Sequence, residues 1–421
     1  MIRRTAFCCA FVAGLLVPTA KAEVNPDSHG RVHSFEEIVS KIETANPDLQ
    51  SARLEVDAQA ALVEQAAMLP NPEVGVSLEG FGGSTDGADS SEGTVEVAQR
   101  IELGGKRSAR VELERERLAS RSLQASLERQ RVLKEAMLRY ATVIKLQREV
   151  EVLDSFIRHT AEALASVRRK VEVGGALAVQ ATPFEVQLAT SKLERQQALV
   201  AIEQAKAALA SLWQGASTEI GELVSLKVKS SSLLEQHFVI ESSPAYVEAA
   251  TQLAIAEKVS GLERALAVSD VTIIGGYRRL EETDDNALIA GISVPLPVFN
   301  RNQGKREAAA LEQQATALRV RSQRTQIENE VRRLREGLRL VAEEQKVLAK
   351  ELLPIAERSF KQTHEGYQLG RLSYLELDAS HEALLELERR LVRVEYELLE
   401  AAVELSVLYG LDLEKMVSTD D

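Results

Sequence analysis

The residue types that carry chemistry are scarce and scattered. Cys8 and Cys9 are the two cysteines, and both lie in the first ten residues. The six histidines are dispersed, and the four methionines include the initiator. His29 and His33 stand four apart, a spacing that puts two imidazoles on one helical face as a metal pair, but the polar segment around them reads as flexible. HExxH and glycine-rich phosphate loops are missing. An exported enzyme would need clustered His, Ser or acid motifs on loops, and none is found. No cofactor and no resident metal site is predicted. Acids supply the remaining candidates: Glu73, Glu79, Glu96 and Glu102 recur along alternating segments, and Asp378 follows a tyrosine near the C-terminus. Lined along a polar face, such carboxylates do not catalyse; they favour the passage of cations.

The ends set the compartment. Arg3 and Arg4, the apolar stretch from Ala6 to Val17 and Ala20-Lys21-Ala22 read as a signal peptide over 1–22, removed on export. Both cysteines leave with it, so no disulfide framework and no lipid-anchored start is expected. Loss of Arg3, Arg4 and Lys21 takes the net charge from -13 to -16, which argues against nucleic acid as a partner. Aromatics make up 4% of the chain against 45% apolar and 27% charged residues, a mixture suited to long packed helices. No stretch of 18 apolar residues follows the signal, so no transmembrane helix is expected.

The elements that must position the acids come in two similar sets. The first repeat, 23–213, holds a helix over 35–68, strands at 71–81 and 94–103 around a polar loop, and a long helical hairpin over 106–213, broken at 173–183. A mixed linker occupies 214–243. The second repeat, 244–410, has a helix opened by Pro244, strands at 270–279 and 286–299, and a hairpin over 303–409 with a kink at Pro354 and a turn at 365–373. A short tail, 411–421, follows Gly410. Gly105-Lys106-Arg107 recurs 199 positions later as Gly304-Lys305-Arg306, each at the passage from strand to helix, the first preceded by Gly104. Apolar residues repeat in sevens along the helices, as in Leu146, Val150, Leu153, Ile157, Leu164, Val167 and Val171, which predicts coiled-coil packing.

The strands alternate. Val74, Val76 and Leu78 oppose Glu73, Ser77 and Glu79; Leu288, Ala290, Ile292, Val294, Leu296 and Val298 form an unbroken apolar face. Each strand is long enough to cross a bilayer tilted, and apolar-out, polar-in alternation fits an outer-membrane barrel. Phe81, Tyr277 and Phe299 are candidates for its aromatic girdle. Four strands cannot close a barrel, and an open edge in lipid leaves backbone groups unpaired, so several chains must pool their strands. A periplasmic adaptor or soluble coiled-coil scaffold is the competing reading. It predicts one hairpin inserted into β-rich domains, not two hairpins each following a strand pair. The junction cations oppose the helix dipole and point to another use: lipid headgroups or neighbouring acids at the membrane boundary.

LPNPEVGVSLEGFGG, IELGGKRSAR, ISVPLPVFNRNQGKREAA and GYQLGRLSYLE together resemble the TolC family of outer-membrane efflux factors, in particular its heavy-metal-resistance, CzcC-like branch. The resemblance runs from about 35 to 410. It implies a mostly α fold with a small β part: a homotrimer whose chains each give four strands to a shared barrel in the outer membrane of a Gram-negative bacterium. Its long helices would form a tunnel in the periplasm. It implies a passive conduit that docks a periplasmic adaptor (membrane fusion) protein and an inner-membrane pump of the resistance-nodulation-division type, exporting heavy-metal cations. The docking tips would be the two hairpin turns, with Gly174 and Gly175 in one and Gly366, Tyr367, Gly370, Leu372 and Ser373 in the other. Glycines there are expected to reverse the chain with positive φ. Two features depart from the family: extra residues from Ala176 to Ala181 in the first turn, and Asp378, the candidate constriction acid, one position before the family's usual aspartate, where Ala379 stands.

Overall fold

The structure, a computed structural model, describes residues 34–80, 91–228, 230–413 and 417–419. The signal peptide, His29, His33 and Phe81 lie outside these residues. Two helices open the chain, α1 (Phe35–Ala45) and α2 (Pro47–Ala66), where the apolar pattern predicts one helix over 35–68. Asn46 explains the break. It caps α2, its side chain accepting from the Leu49 amide at 3.0 Å, and Pro47 enters at the first turn, where its missing N–H costs nothing. The Asn46 amide also donates to Leu212 O at 2.8 Å, fixing the bend against the core.

Strands β1 (Glu73–Glu79) and β2 (Glu92–Ile101) lead to α3 (Lys106–Glu172) and α4 (Thr182–Ala210). The intervening linker carries β3 (Leu226–Val228) and α5 (Ser230–Glu235). The order then repeats with α6 (Pro244–Ala265), β4 (Val271–Leu280), β5 (Asp285–Ser293), α7 (Gln303–Val347), α8 (Leu353–Gln368) and α9 (Tyr374–Tyr409); β6 (Val417–Thr419) closes the chain against β3. Helix α3 has 67 residues, so it is roughly 100 Å long. A π-helical turn at Leu348–Leu352 separates α7 from α8 just ahead of Pro354. Proline removes one intrahelical bond and crowds the preceding turn, and the widened π turn takes up the mismatch.

Strand β5 ends at Ser293, six residues before the expected 299. Pro295 and Pro297 have no N–H for the ladder, so pairing cannot continue through them. The four long strands form one antiparallel sheet in the order β1-β2-β4-β5. The helices pack around two cores. The larger joins α1, the middle of α3, the end of α4, α7 and the end of α9, with Tyr140 fully buried and its hydroxyl donating to Val224 O at 2.8 Å. The smaller lies near the hairpin turns, where Val167, Phe184, Phe360, Tyr367 and Leu377 meet. Among the described residues no helix is long and apolar enough to cross a membrane.

Candidate conduit surfaces

Register decides what the sheet can do. Paired residues share a face, and Val76 sits opposite Val95, Val95 opposite Tyr277, and Tyr277 opposite Leu288. The row beside it aligns Val74, Val97, Gly275 and Ala290. All four apolar stripes therefore fall on one face, and it is uncovered: Val76 is 78% exposed, Leu288 89% and Ile292 74%. The other face carries Glu73, Glu79 and Glu96 with Ser77, Thr94 and Arg278. Glu96 shares its row with Gly75 and Gly276, whose missing side chains leave it room; a Cβ at Gly276 would stand 3.1 Å from the Glu96 Cβ. Arg278 bonds Glu92 at 3.0 Å and Thr94 at 3.1 Å across the strands. Among the described residues, edge strands β1 and β5 each keep one side free of any strand partner.

Glu102 does not join this face. It lies past the end of β2 and holds Arg110 of α3 through a two-pronged contact at 2.8 and 3.1 Å, tying strand to helix. Asp378 accepts from Gln187 of α4 at 3.2 Å, beside Glu382, which accepts from the same amide at 2.8 Å.

The two strand-to-helix junctions differ. In the first, Gly104 and Gly105 take φ of +70° and +74°. A Cβ at Gly104 would come within 2.7 Å of Val268, so glycine is needed there for space as well as for backbone sign. Lys106 is buried and pairs with Asp270 at 2.6 Å; Asp270 also accepts from the Leu103 amide at 3.2 Å. The cation at the helix start thus finds a neighbouring acid at the foot of β4, while Arg107 is exposed. In the second junction Asn302, with φ of +58°, makes the turn, and Gly304 is an ordinary residue in the first turn of α7. Lys305 and Arg306 are exposed. The likeness of the two motifs hides this exchange of glycine for asparagine.

At the tips, Gly174 (φ +75°) and Gly370 (φ +71°) reverse the chain; Gly175 and Gly366 do not take positive φ. Gly366 serves another end, since a Cβ there would meet Leu372 at 2.6 Å. Ser373 caps α9 in a reciprocal box with Glu376. Tyr367 is buried: Lys170 donates to its carbonyl at 3.1 Å and sits 4.7 Å over its ring, and Phe184 packs against both Tyr367 and Tyr374. It binds the two turns to each other. The outward apolar residues are Val173, Leu177, Val179, Leu369 and Leu375, all exposed. The charge-free run VGGALAV, unusual in a solvated turn, is the sequence signal for three of them. Among the described residues no group of three His, Cys, Asp or Glu is arranged to hold a metal ion.

An exposed apolar sheet face with open edges, joined to helices of this length, defines an outer-membrane channel subunit. Residues 38–215 and 237–411 match the outer membrane efflux protein family, and the chain belongs to it. It is 26% identical over 397 residues to the cobalt-zinc-cadmium resistance protein CzcC of Cupriavidus metallidurans, spanning 93% of each chain. It is 25% identical to the nickel and cobalt resistance protein CnrC of the same organism, over 66% of this chain and 67% of that one. The fold matches the outer membrane protein VceC of Vibrio cholerae with a TM-score of 0.73 at 17% identity, covering 89% of this chain and 95% of that one. CusC also matches at 0.73, with 16% identity and coverage of 90% and 92%. The chain is the outer-membrane channel component of an efflux system, with its helices in the periplasm.

Proposed function

We propose that three copies of the chain pool their strands into one barrel and their hairpins into one tunnel, a passive conduit for heavy-metal cations. The carrying observation is the sheet with one apolar face and two open edges. Its polar face, with Glu73, Glu79 and Glu96, becomes the lumen lining and favours cations. Metal cargo is supported by the resistance relatives. The chain's own residues offer no resident metal site among those described, which suits a channel whose cargo must leave as easily as it enters.

The internal repeat supplies the geometry between copies. Within one chain α3 packs on α6 through Glu112–Lys258 at 3.1 Å and Ser120–Gln252 at 3.4 Å. Helix α7 is the counterpart of α3, and α2, opened by Pro47 as α6 is by Pro244, is the counterpart of α6. Shifting these contacts by 199 positions from α3 to α7 and by 197 from α6 to α2 (Pro244 to Pro47) pairs Leu311 with Ala61 of a second copy, next to Leu62, and Arg319 with Glu55, next to Leu318 and Leu54. All four leucines are exposed in the single chain. The mature chain has no cysteine once 1–22 is removed, so an Ala61→Cys/Leu311→Cys variant has no background. Oxidation in the outer membrane should link copies into dimers and trimers, whereas either single variant should not; absence of any linked species would count against this packing.

The tips then face the pump. The exposed apolar residues Val173, Leu177, Val179, Leu369 and Leu375 around Gly174, Gly175, Gly370, Leu372 and Ser373 form the surface for a periplasmic adaptor, and through it a resistance-nodulation-division pump. The junction cations Arg107, Lys305 and Arg306 lie at the membrane boundary, within reach of lipid headgroups. Asp378, near the tip, is the candidate constriction acid. No step of bond making is assigned to the chain, which acts without enzymatic activity. Deleting its gene should lower tolerance to cobalt, zinc and cadmium in a strain without a second conduit; unchanged tolerance there would remove metals as cargo.

A further inference from the structure

Three of the six histidines, His159 of the first hairpin and His364 and His381 of the second, meet where the two hairpins touch. His381 of α9 is 6% exposed. Its ring lies between Phe156 of α3, 4.0 Å away at 23°, and Phe360 of α8, 4.7 Å away at 21°. His159 of α3 stands edge-on, 6.0 Å from His381 and 5.1 Å from Phe360. His364 of α8 flanks Phe360 at 5.7 Å. Nearby, the hydroxyls of Thr363 and Ser380 join α8 to α9. The buried His364 Nδ1 and Thr160 Oγ1 have no hydrogen-bond partner. This seam lies a few turns from the tips, and its integrity sets how firmly the two hairpins hold together there.

We propose that His381, stacked between the two hairpins with His159 and His364 beside it, is an acid-sensitive latch that holds the hairpins together near the tips and releases them when the His381 ring is protonated.

The slot around His381 accepts only a neutral ring, whereas the His159 side chain is 33% exposed. From α3 the charged groups at hand are His159 itself, Arg158 and Glu162, and Glu162, 3.7 Å from His159 Nδ1, is itself exposed. From α8 it is His364. On α9, Asp378 and Glu382 bond Gln187 of α4 instead. A proton on His381 would thus sit in a water-poor slot beside two other imidazoles. The phenyl faces offset part of that cost by cation–π attraction. They offer no acceptor for a second ring N–H. Burial first, then His159 and His364, push His381 down to about 3; burial likewise lowers His159. The sign follows: the seam is at full strength above the ordinary histidine range near 6.5, and weakens as pH falls from there toward 3. Two turns further along α9, Glu388 is raised, by burial first and then by Glu357, and responds in the opposite sense. The latch must therefore be read at the cluster itself.

Only the consequence, a wider tip, rests on the conduit reading; the loosening is measured locally. Hydrogen exchange on the full mature protein in detergent, corrected for intrinsic rates, compares pH 7.5 with pH 5.0. Opening at 156–163, 360–367 and 377–384 should rise on the order of tenfold relative to 132–143 of the large core. His381→Phe keeps a ring between the two phenyls and cannot titrate, so its seam should change by less than about twofold. A second variant, His159→Gln/His364→Gln, should lose part of the response. Unchanged protection in the native protein, or an equal acid response in His381→Phe, overturns the latch. A sound latch in a protein that conducts nothing would refute the conduit and leave the latch standing.

Discussion

At the scale of single residues, position in the fold reassigns several side chains. Lys106 reads in the sequence as a boundary cation, and the structure gives it Asp270 at 2.6 Å with little exposure. Removing one partner of such a pair strands the other charge. Lys106→Met should therefore cost about 2–3 kcal/mol, and Lys106→Met/Asp270→Asn much less. Denaturant midpoints of the detergent-solubilised protein check this. A double variant as weak as the single one would show that the lysine stem, not the pair, matters. Substituting glutamate at Lys106, Arg107, Lys305 and Arg306 should impair barrel insertion more than adaptor docking, with Lys106→Glu alone giving most of the defect. Gly104, Gly174 and Gly370 were legible as turn glycines because few other residues take positive φ. Tyr367 was not: nothing in GYQLGRLS tells that its ring lies under Lys170 and beside Phe184. The latch histidines were read as dispersed because 222 residues separate His159 from His381, and only the packing of α3 on α9 joins them.

At the scale of elements, the long helices and both hairpins were legible to within a few residues because a heptad pattern sustained over many turns has one reading. Their ends were readable where glycine or proline marked them. The strand alternation gave the faces but not the partners, and pairing decides whether four stripes add into one surface. The run SVPLPVF kept its alternation past Ser293 although its prolines could not pair, so pattern alone overextended β5. If the uncovered face meets lipid, Val76→Lys or Leu288→Lys should cost about 2–4 kcal/mol near the bilayer midplane, whereas Glu96→Gln should leave assembly intact and reduce preference for cations. Folding into lipid vesicles and reversal potentials in planar bilayers read the two effects. Equal tolerance of lysine on both faces would deny the sheet a membrane-facing side.

For the whole molecule, we propose that one chain is an incomplete object. Among the described residues its sheet has two unpaired edges, its apolar face is bare, and leucines on α2 and α7 are exposed. Each feature is costly alone, and the proposed neighbouring copy would resolve all of them. Every chain brings two strand pairs and two hairpins, so the proposed ring of three would hold six of each. The test is the native mass of the mature protein extracted from the outer membrane, measured unheated in detergent and again after heat denaturation. Three chains are expected before heating and one after it, with the protein absent from the soluble periplasmic fraction. A single chain in the unheated sample, or the mature protein free in the periplasm, would contradict it.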